Sequence, residues 1–229
     1  MMEPIRQRVV YSKDHSLAVW RSGGRLFDIG CGSGDYLNLA RNLGWRTYGL
    51  DPDPVAAEVA RQSGATVTVG TLDIATIPDA PFDAVTSMHS IEHARDPRQF
   101  LRQALTLLRP GGFFYLQTPN FGSVMHRRYG ADWYALEVPR HLCLLTVPAM
   151  WCLLKEMGPW ASLTVRSNPR RAIREQEQTI AMRREGSFEA TTLFSRRDRL
   201  GMGVWSLIET IGNRAMGWGE EVEVIGIKD

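Results

Sequence analysis

Residues 26–34 read Leu-Phe-Asp-Ile-Gly-Cys-Gly-Ser-Gly, an apolar run with one acid that ends in three glycines at alternate positions. The apolar part is typical of a buried strand, and closely spaced glycines after a strand are typical of a nucleotide-binding turn. Glycine adopts backbone angles that other residues resist, and it lets a ligand approach the main chain closely. We expect the amide N–H groups of this turn to point at a ligand bound there.

The spacing of the glycines and of two acids distinguishes between ligands. The dinucleotide fingerprint is G-x-G-x-x-G, whereas Gly30, Gly32 and Gly34 give G-x-G-x-G. Asp28 lies before the first glycine, where a carboxylate would repel a pyrophosphate but can accept a hydrogen bond from an ammonium group or orient the loop through water. Asp51 ends the next predicted strand, where a carboxylate can bind both hydroxyls of a ribose. The pattern therefore favours a ligand with a ribose and a cationic amino-acid tail.

Apolar runs alternate with helical patterns between residues 25 and 117, which indicates a parallel sheet with crossover helices. The predicted strands are Arg25–Ile29, Arg46–Leu50, Thr66–Val69, Phe82–Ser87, Phe113–Thr118, Ser162–Arg166 and Glu221–Ile227. The predicted helices are Asp35–Leu43, Pro54–Gln62, Pro97–Leu108, Val147–Met157, Arg174–Arg184 and Leu200–Met216. Residues 119–145 are predicted to be irregular, and connections of that length are usually functional.

Six elements occur in a characteristic order: Asp28-Ile-Gly-Cys-Gly-Ser-Gly34, Asp51, Phe82-Asp83-Ala-Val85, Ile91-Glu-His93, Leu108-Arg-Pro-Gly-Gly112 and Thr118-Pro-Asn120. In this order they resemble the class I S-adenosylmethionine-dependent methyltransferases, and most closely the bacterial subgroup that includes the ubiquinone-biosynthesis O-methyltransferases. The resemblance covers residues 25–165. It implies an α/β, Rossmann-like, doubly wound sheet of seven strands, mostly parallel with the last strand antiparallel, and a helical insert before that strand.

The same resemblance implies a division of the chain within one methyltransferase domain, residues 1–229. We expect a helical N-terminal segment at 1–24 and a cofactor-binding core at 25–168. A basic, amphipathic helical insert follows at 169–219, and the final strand occupies 220–229.

S-adenosylmethionine is the cofactor that the resemblance implies. In the implied contacts, Asp28 lies near its amino group, and Gly30, Cys31, Gly32 and Gly34 lie under its methionine part. Asp51 and Pro52 bind its ribose. Leu72 and Asp73 flank its adenine, and Met88 and His89 close over it. In the alternative interpretation, both acids merely cap helices and the glycines merely turn the chain. That alternative does not predict the acid-to-acid spacing.

His89, Glu92 and His93 follow the fourth predicted strand at spacings that would place them on one face of a helix. The pattern H-x-x-E-H also matches a class of zinc proteases, but the surrounding strands and glycine turn belong to another fold. In the ubiquinone-type relatives the corresponding positions carry Glu, Glu and His and are linked to a divalent metal. His89 replaces the first acid, and hard cations prefer oxygen ligands, although two imidazoles and a carboxylate could hold a softer ion. We predict no metal ion, with His89 at the cofactor and the other two bracing the helix and the substrate loop.

A hydroxyl acceptor gains from a general base, and histidine is suited to that role near neutral pH. His141, in the long segment after the fifth strand, is the first candidate, and His89 and His93 are the alternatives. A structural histidine that pins this loop is the competing interpretation of His141. Trp133 and Tyr134 would line an apolar acceptor pocket or anchor the loop. We expect an O-methyl product on a small molecule or on a lipid- or sugar-linked metabolite.

Composition and missing motifs argue against several other classes. The chain has 229 residues, a net charge of +2 and no long apolar run, so a membrane-spanning helix is not expected. Residues 1–12 lack the apolar core of a signal peptide, and the three cysteines show no CxxC spacing, so we expect a cytoplasmic protein. The segment Ser87-Met-His-Ser90 stands where nucleic-acid amino methyltransferases carry [DN]-P-P-[FYW], so no nucleic-acid partner is expected. A non-catalytic cofactor-binding or membrane-associated accessory protein and a nicotinamide oxidoreductase are the alternative functions.

Residues 166–199 contain nine arginines and five acids, and the helix predicted after them carries apolar residues at helical spacing. One interpretation is a peripheral contact of residues 166–216 with an anionic membrane, at the inner membrane face. The other, favoured because acids interrupt the basic run, is a helical excursion whose apolar face packs on the domain or on a second subunit.

Overall fold

A computed structural model describes residues 23–77, 79–168, 176–181 and 196–229 of the chain. Seven strands form one sheet: β1 Arg25–Ile29, β2 Arg46–Asp51, β3 Thr66–Val69, β4 Phe82–Met88, β5 Leu108–Pro119, β6 Trp160–Asn168 and β7 Glu221–Lys228. The helices are α1 Asp35–Asn42, α2 Pro54–Gln62, α3 Pro97–Thr106, α4 Val124–Tyr129, α5 Val147–Lys155, α6 at 176–181 and α7 Arg196–Met216.

The strands lie in the order β3-β2-β1-β4-β5-β7-β6. Strands β1 to β5 are parallel, and β7 runs antiparallel to both β5 and β6. The predicted seven-stranded, doubly wound sheet with an antiparallel last strand is therefore confirmed. The chain moves outward from β1 to β3 and then returns to β4 on the other side of β1. The resulting gap at the carboxyl ends of β1 and β4 is the usual place for a ligand in such sheets.

Alternating side chains of the strands bury opposite faces of the sheet, as the period of two requires. Phe27 packs with apolar residues of α3 and α5, while its neighbour Leu26 packs with apolar residues of α1 and α2. In β5, Phe114 belongs to the first of these layers and Phe113 to the second. Helices thus cover both faces, and they leave the carboxyl edge of the sheet open for a site.

Local sequence fixes where several helices begin. Asp53 accepts a hydrogen bond from the amide of Val55 at the start of α2, and Asp96 does the same for two amides of α3. Both helices carry proline in the first turn, where the missing N–H costs no hydrogen bond. These signals explain why the predicted starts of α2 and α3 agree with the structure.

Two predictions about organisation come out differently, and two others are not tested in full. Residues 119–145 are not wholly irregular, because Val124–Tyr129 forms α4 and two short 3-10 helices follow, Gly130–Asp132 and Tyr134–Leu136. Helix α7 begins at Arg196, earlier than the predicted Leu200. The helical segment predicted for 1–24 lies outside the described residues except for its last two positions, and the helix predicted at 174–184 is described only over 176–181. None of the described helices combines the length and the apolar character needed to cross a bilayer.

Candidate active site

A cleft of about 860 Å³ opens at the carboxyl ends of β1 and β2, next to the point where the strand order reverses. Its volume is within the range of small-molecule sites. Six residues predicted to contact the cofactor line it: Gly30, Asp51, Pro52, Leu72, Asp73 and His89. The other predicted contacts do not line it: Asp28, Cys31, Gly32, Gly34 and Met88.

The amides of the glycine turn are occupied by the protein itself. The N–H groups of Gly30 and Cys31 both donate to the carbonyl oxygen of Leu50, at 2.7 and 3.1 Å. The N–H of Gly32 donates to Oδ2 of Asp51 at 2.7 Å. The expectation that these amides point freely at a ligand is therefore wrong. A turn whose amides bond to the neighbouring strand suits a ligand that has no phosphate to bind.

Asp51 joins the end of β2 to this turn. Besides the amide of Gly32, its carboxylate accepts a hydrogen bond from the amide of Asp53 through Oδ1 at 2.9 Å. The side chain is nearly buried and still borders the cleft. Each carboxylate oxygen retains a second lone pair, so Asp51 can accept hydrogen bonds from ligand hydroxyls as well.

Two glycines of the turn are needed for different reasons. Gly30 has a φ of +77°, and an added Cβ would lie 1.9 Å from Oγ of Ser90. Gly32 has a φ of +52°, but no atom of the described residues lies within 4 Å of the place its Cβ would take. Gly30 is therefore required by the packing of the chain, whereas the open space above Gly32 is available to a ligand.

Asp28 lies beneath the turn and is 2% exposed. Its Oδ1 accepts a hydrogen bond from the hydroxyl of Thr86 at 2.6 Å. Burial raises the pKa of Asp28 to about 7, with a further rise from the charge of Asp51, and the Thr86 hydrogen bond opposes this. The carboxylate form is thus costly without a cation nearby, and a positively charged group in the cleft would favour it.

His89 lies between two buried carboxylates. Its Nδ1 is 3.2 Å from Oε1 of Glu92, and its Nε2 is 3.3 Å from Oε1 of Glu221. Burial by itself would lower the pKa of His89, but the hydrogen bonds to Glu221 and Glu92 raise that pKa to about 9. Burial likewise acts to raise the pKa of Glu92, yet the contact with His89 holds it below the ordinary value. At neutral pH His89 is therefore a cation, and it has no lone pair with which to act as a base.

Glu92 also holds the long loop after β5 against the end of β4. Its Oε2 accepts a hydrogen bond from the hydroxyl of Thr118, and its carbonyl oxygen accepts the amides of Leu142 and Cys143. These contacts support the expectation that Glu92 braces the substrate loop. Residues 91–93 form a 3-10 helix, so His89 contacts Glu92 while His93 turns toward the loop.

His93 and His141 meet in this loop, with ring centroids 4.9 Å apart. Nδ1 of His93 lies 3.0 Å from the carbonyl oxygen of Arg140. A carbonyl only accepts, so Nδ1 carries a proton, and in the neutral form of the ring the lone pair is on Nε2. His93 and Arg140 line the cleft, and within the described residues Nε2 of His93 makes no hydrogen bond. His141 does not line the cleft, and its side chain is 6% exposed.

The ligand atoms of Glu92, His93 and His141 lie within 4.8 Å of one another, so this trio could hold a metal ion. The grouping differs from the one considered on the sequence, because His89 belongs to a separate ion pair. Both carboxylate oxygens of Glu92 and both ring nitrogens of His141 already contact other groups of the chain. A metal ion would have to displace several of these contacts.

Trp133 serves the fold and not the cleft. It is 2% exposed and packs with Val124 and Met125, beside Trp205 and Trp218. Its interpretation as a loop anchor is thus the one that agrees with the structure.

Four residues of the site were not found from the sequence. Thr86 is opposite Asp28 in the register of β1 and β4, and a register prediction is the signal that would have found it. Arg140 directly precedes His141, so its position in the loop was visible in the sequence. Glu137 and Glu221 reach their histidines only through the loop conformation and the pairing of β7, which the sequence pattern does not reveal.

Three features together define the Rossmann-like methyltransferase class: the sheet order, the antiparallel β7 and the cleft above the glycine turn. The family described as methyltransferase domain matches residues 6–158, and the chain belongs to this family.

Curated relatives agree with this assignment, and solved structures share the fold. A Mycolicibacterium smegmatis protein named "probable S-adenosylmethionine-dependent methyltransferase" is 37% identical over 117 residues, which cover 50% of this chain and 44% of the relative. The ubiquinone biosynthesis O-methyltransferase of Paraburkholderia phymatum is 30% identical over 148 residues, which cover 61% of this chain and 62% of the relative. The chain thus spans about half the length of these relatives. A Thermotoga maritima crystal structure described as an S-adenosylmethionine-dependent methyltransferase, possibly acting on histamine nitrogen, has a TM-score of 0.59 at 20% identity, covering 90% of this chain and 83% of that one.

S-adenosylmethionine is the cofactor of this family, and the residues present fit it. Asp51 presents a carboxylate at the cleft, Gly32 of the adjoining turn leaves open space above the main chain, and Asp28 is a buried acid beneath that turn whose ionised form a cation would favour. These features match a ribose, a close approach to the main chain and an ammonium group, respectively.

Proposed function

We propose that the protein transfers a methyl group from S-adenosylmethionine to a hydroxyl oxygen of a small-molecule acceptor, in the cleft beside the glycine turn. The observation that carries this proposal is the hydrogen bond from Nδ1 of His93 to the carbonyl oxygen of Arg140. It fixes the tautomer of a cleft-lining histidine and leaves Nε2 able to accept a proton. A hydroxyl acceptor needs such a base, whereas a neutral amine can attack without one.

The chain would hold the cofactor through residues that already border the cleft. Asp51 would accept the ribose hydroxyls, and Leu72 and Asp73 would flank the adenine. Asp28 would favour the ammonium group through its charge. Bound S-adenosylmethionine would supply a methyl group already activated on a sulfonium, so the protein's remaining task is mainly alignment of the acceptor.

Three histidines were candidates for the base, and their surroundings separate them. His89 is held as a cation by Glu92 and Glu221, so it cannot accept a proton at neutral pH. His141 has both ring nitrogens engaged within the loop. His93 alone of these three combines a place on the cleft with a free Nε2 among the described residues. We therefore assign the base to His93, and His141 to the support of the loop around it.

The acceptor is proposed to be a small molecule, free or attached to a lipid or a sugar. Names of relatives such as the ubiquinone biosynthesis O-methyltransferase support an oxygen acceptor. Arg95 and Arg140 also line the cleft, and both are suited to bind an anionic group on the acceptor.

Calorimetric titration with S-adenosylmethionine tests the cofactor half of the proposal. Wild type should bind, and Asp51→Ala should lose binding because the turn and the ribose both depend on that carboxylate. Asp53→Ala is the matched control: it removes the nearby acid that caps α2, at a cost of about 1 kcal/mol of stability, and should keep binding. Failure of wild type to bind would overturn the proposal.

The acceptor half is tested by release of adenosylhomocysteine with a panel of phenols and the corresponding anilines. Turnover with phenols but not with anilines supports the hydroxyl acceptor. Turnover with the anilines alone contradicts it. Cofactor binding without turnover on any acceptor would favour the non-catalytic accessory protein.

We further infer a reducing compartment, the cytoplasm, as the location. The three cysteines of the chain, Cys31, Cys143 and Cys152, are all free thiols. Burial raises the pKa of the Cys31 thiol to about 12, which keeps it in the unreactive form. Fractionation of the native host with an antibody to the chain tests this inference, and recovery outside the cytoplasm and its membrane face contradicts it.

A further inference from the structure

Helix α7 has an apolar side that the described part of the domain does not cover. Its inner side packs through Trp205 and Ile208 on the cluster around Trp133, and Met202 of the same helix is 5% exposed. Four aliphatic side chains on the outer side are mostly exposed: Leu200 at 71%, Val204 at 57%, Leu207 at 60% and Ile211 at 62%. The apolar face of this helix was expected to pack on the domain or on a second subunit, and these four residues do not pack on the described part of the domain.

The four side chains form a continuous stripe. Their spacing of four, three and four residues places them on one face of a helix, over a length of about 17 Å. Exposed apolar patches on a soluble protein are usually small, and a contiguous one marks a surface that binds something.

The sequence of this region is basic. The sequence of α7 contains four arginines and two acids, and one of those acids, Glu209, is fully buried. Arg127 and Arg128 of α4 are exposed beside the helix, with guanidinium groups over the rings of Trp218 and Trp205 at 5.4 and 4.2 Å. An apolar stripe with a basic border is complementary to a surface that is anionic outside and apolar beneath.

We propose that the stripe on α7, with Arg127 and Arg128 at its border, docks the protein on an anionic lipid bilayer. The aliphatic side chains enter the boundary between head groups and acyl chains, and the arginines contact the phosphates. The docking surface is distinct from the cleft and does not depend on the methyl acceptor.

A second copy of the chain fits this surface less well than a bilayer does. Four partly exposed aliphatic side chains present on the order of 300–400 Å², about half of the ~800 Å² that a stable dimer needs from each partner. Two copies paired through α7 would also bring their arginine-bearing borders together, and these charges repel.

The test is co-sedimentation of the full chain with vesicles of mixed phosphatidylglycerol and phosphatidylcholine, and with vesicles of phosphatidylcholine alone. Wild type should bind the anionic vesicles, bind the neutral ones at least tenfold more weakly, and be released by high salt. The double variant Leu207→Glu with Ile211→Glu should bind anionic vesicles at least tenfold more weakly, because both side chains leave the apolar layer.

The matched control is Val55→Glu with Val59→Glu on α2. These two valines are also exposed, so the control adds the same charge on a different surface and should bind vesicles like wild type. Binding of S-adenosylmethionine by calorimetry shows that each variant is folded. A wild type that does not bind anionic vesicles overturns the proposal, as does equal loss of binding in both double variants. A wild-type dimer that the α7 variant dissociates, without vesicle binding, also overturns it and assigns the surface to a second copy.

Discussion

Nε2 of His141 lies 3.0 Å from Oε2 of Glu137, and this contact removes His141 from the proton chemistry of the cleft. The other ring nitrogen, Nδ1, donates to the carbonyl oxygen of Ala135 at 2.7 Å. Glu137 also binds Arg140 through its other oxygen. One carboxylate therefore holds two consecutive residues of the loop, Arg140 and His141. The carbonyl of Arg140 in turn orients His93. Glu137 therefore links the two histidines of the loop, because it binds His141 directly and also binds Arg140, whose carbonyl orients His93.

Substitution of His93 by glutamine tests the assignment of the base. We expect turnover on a phenolic acceptor to fall by about 10²-fold or more, because a general base contributes roughly that much. Affinity for S-adenosylmethionine should stay within a few-fold of wild type, and the deficit should shrink at high pH as the phenol ionises by itself.

His141→Gln is the comparison for this experiment. It should lower the thermal stability of the protein and leave the pH profile of turnover unchanged in shape. If the fall in turnover toward low pH disappears in His141→Gln and persists in His93→Gln, the roles of the two residues are reversed.

The ion pairs of His89 predict a pH-dependent stability. The pKa of His89 is about 9 in the folded protein against an ordinary 6.5, so the protonated ring stabilises the fold. This contribution is complete below about pH 6.5 and is lost as the pH rises through 9, and it amounts to on the order of 2–3 kcal/mol. Urea unfolding of wild type and His89→Asn at pH 7 and pH 9.5 measures it.

Asparagine is chosen because His89 has a φ of +53°, a conformation that asparagine tolerates. The variant should be less stable than wild type at pH 7, where it leaves Glu92 and Glu221 without their cation. The difference should narrow at pH 9.5. A difference that is equal at both pH values contradicts the raised pKa.

Much of the fold was predictable because strong local signals set it. The bounds predicted for β1 and for α2 agree with the structure. The apolar run of β1 ends at the glycine turn, and α2 begins at Pro54, directly after its N-cap residue Asp53. α4 was missed because it is short, and its stability comes from Val124 and Met125 packing under α7, which no local pattern encodes.

The candidate site likewise has a part that the sequence predicts and a part that depends on the folded structure. Gly30 directly follows β1 and Asp51 is the last residue of β2, so the topology of a parallel sheet brings them together at one edge. The contact of His89 with Glu221 depends on the register of β7 against β5, and alternation of apolar residues predicts a strand without its register. The environment that separates the three histidines is therefore a property of the folded chain.

Asp28→Asn should improve stability and impair function. The pKa of Asp28 is about 7 against an ordinary 3.8, so ionisation of this buried group destabilises the cofactor-free fold as the pH rises from 3.8 to 7. At pH 8 asparagine removes that cost, and the free energy of unfolding should rise by about 1–4 kcal/mol. Affinity for S-adenosylmethionine should fall at least tenfold, because the ammonium group loses its anion.

The wild type supplies an internal check on Asp28. Its affinity for S-adenosylmethionine should increase between pH 6 and pH 8 as the carboxylate forms, and Asp28→Asn should lack this increase. Calorimetry at both pH values measures it. An affinity that is the same in wild type and variant would show that Asp28 does not interact with the bound cofactor.

The two glycines of the turn should respond differently to alanine. Gly30→Ala should destabilise the fold strongly, because its Cβ would meet Ser90 and its φ of +77° is strained for alanine. Gly32→Ala should cost about 1 kcal/mol of stability, since its Cβ meets no other group in the part of the chain that the structure describes. Its affinity for S-adenosylmethionine should nevertheless fall sharply, because the methyl group occupies the space assigned to the ligand. Thermal unfolding and calorimetry separate the two effects, and a Gly32→Ala variant with full affinity contradicts the placement.

Removal of divalent ions should leave turnover unchanged. Glu92, His93 and His141 are close enough to hold an ion, but the carboxylate of Glu92 already binds His89 and Thr118, and His141 is held by Glu137 and Ala135. An ion would have to break these bonds and would also take the lone pair of His93 that the proposed base requires. We therefore expect full activity after EDTA treatment and inhibition by added Zn²⁺, which binds imidazole well. His93→Gln should bind Zn²⁺ more weakly, and activity that is lost with EDTA and restored by one ion would instead show that the trio is a metal site.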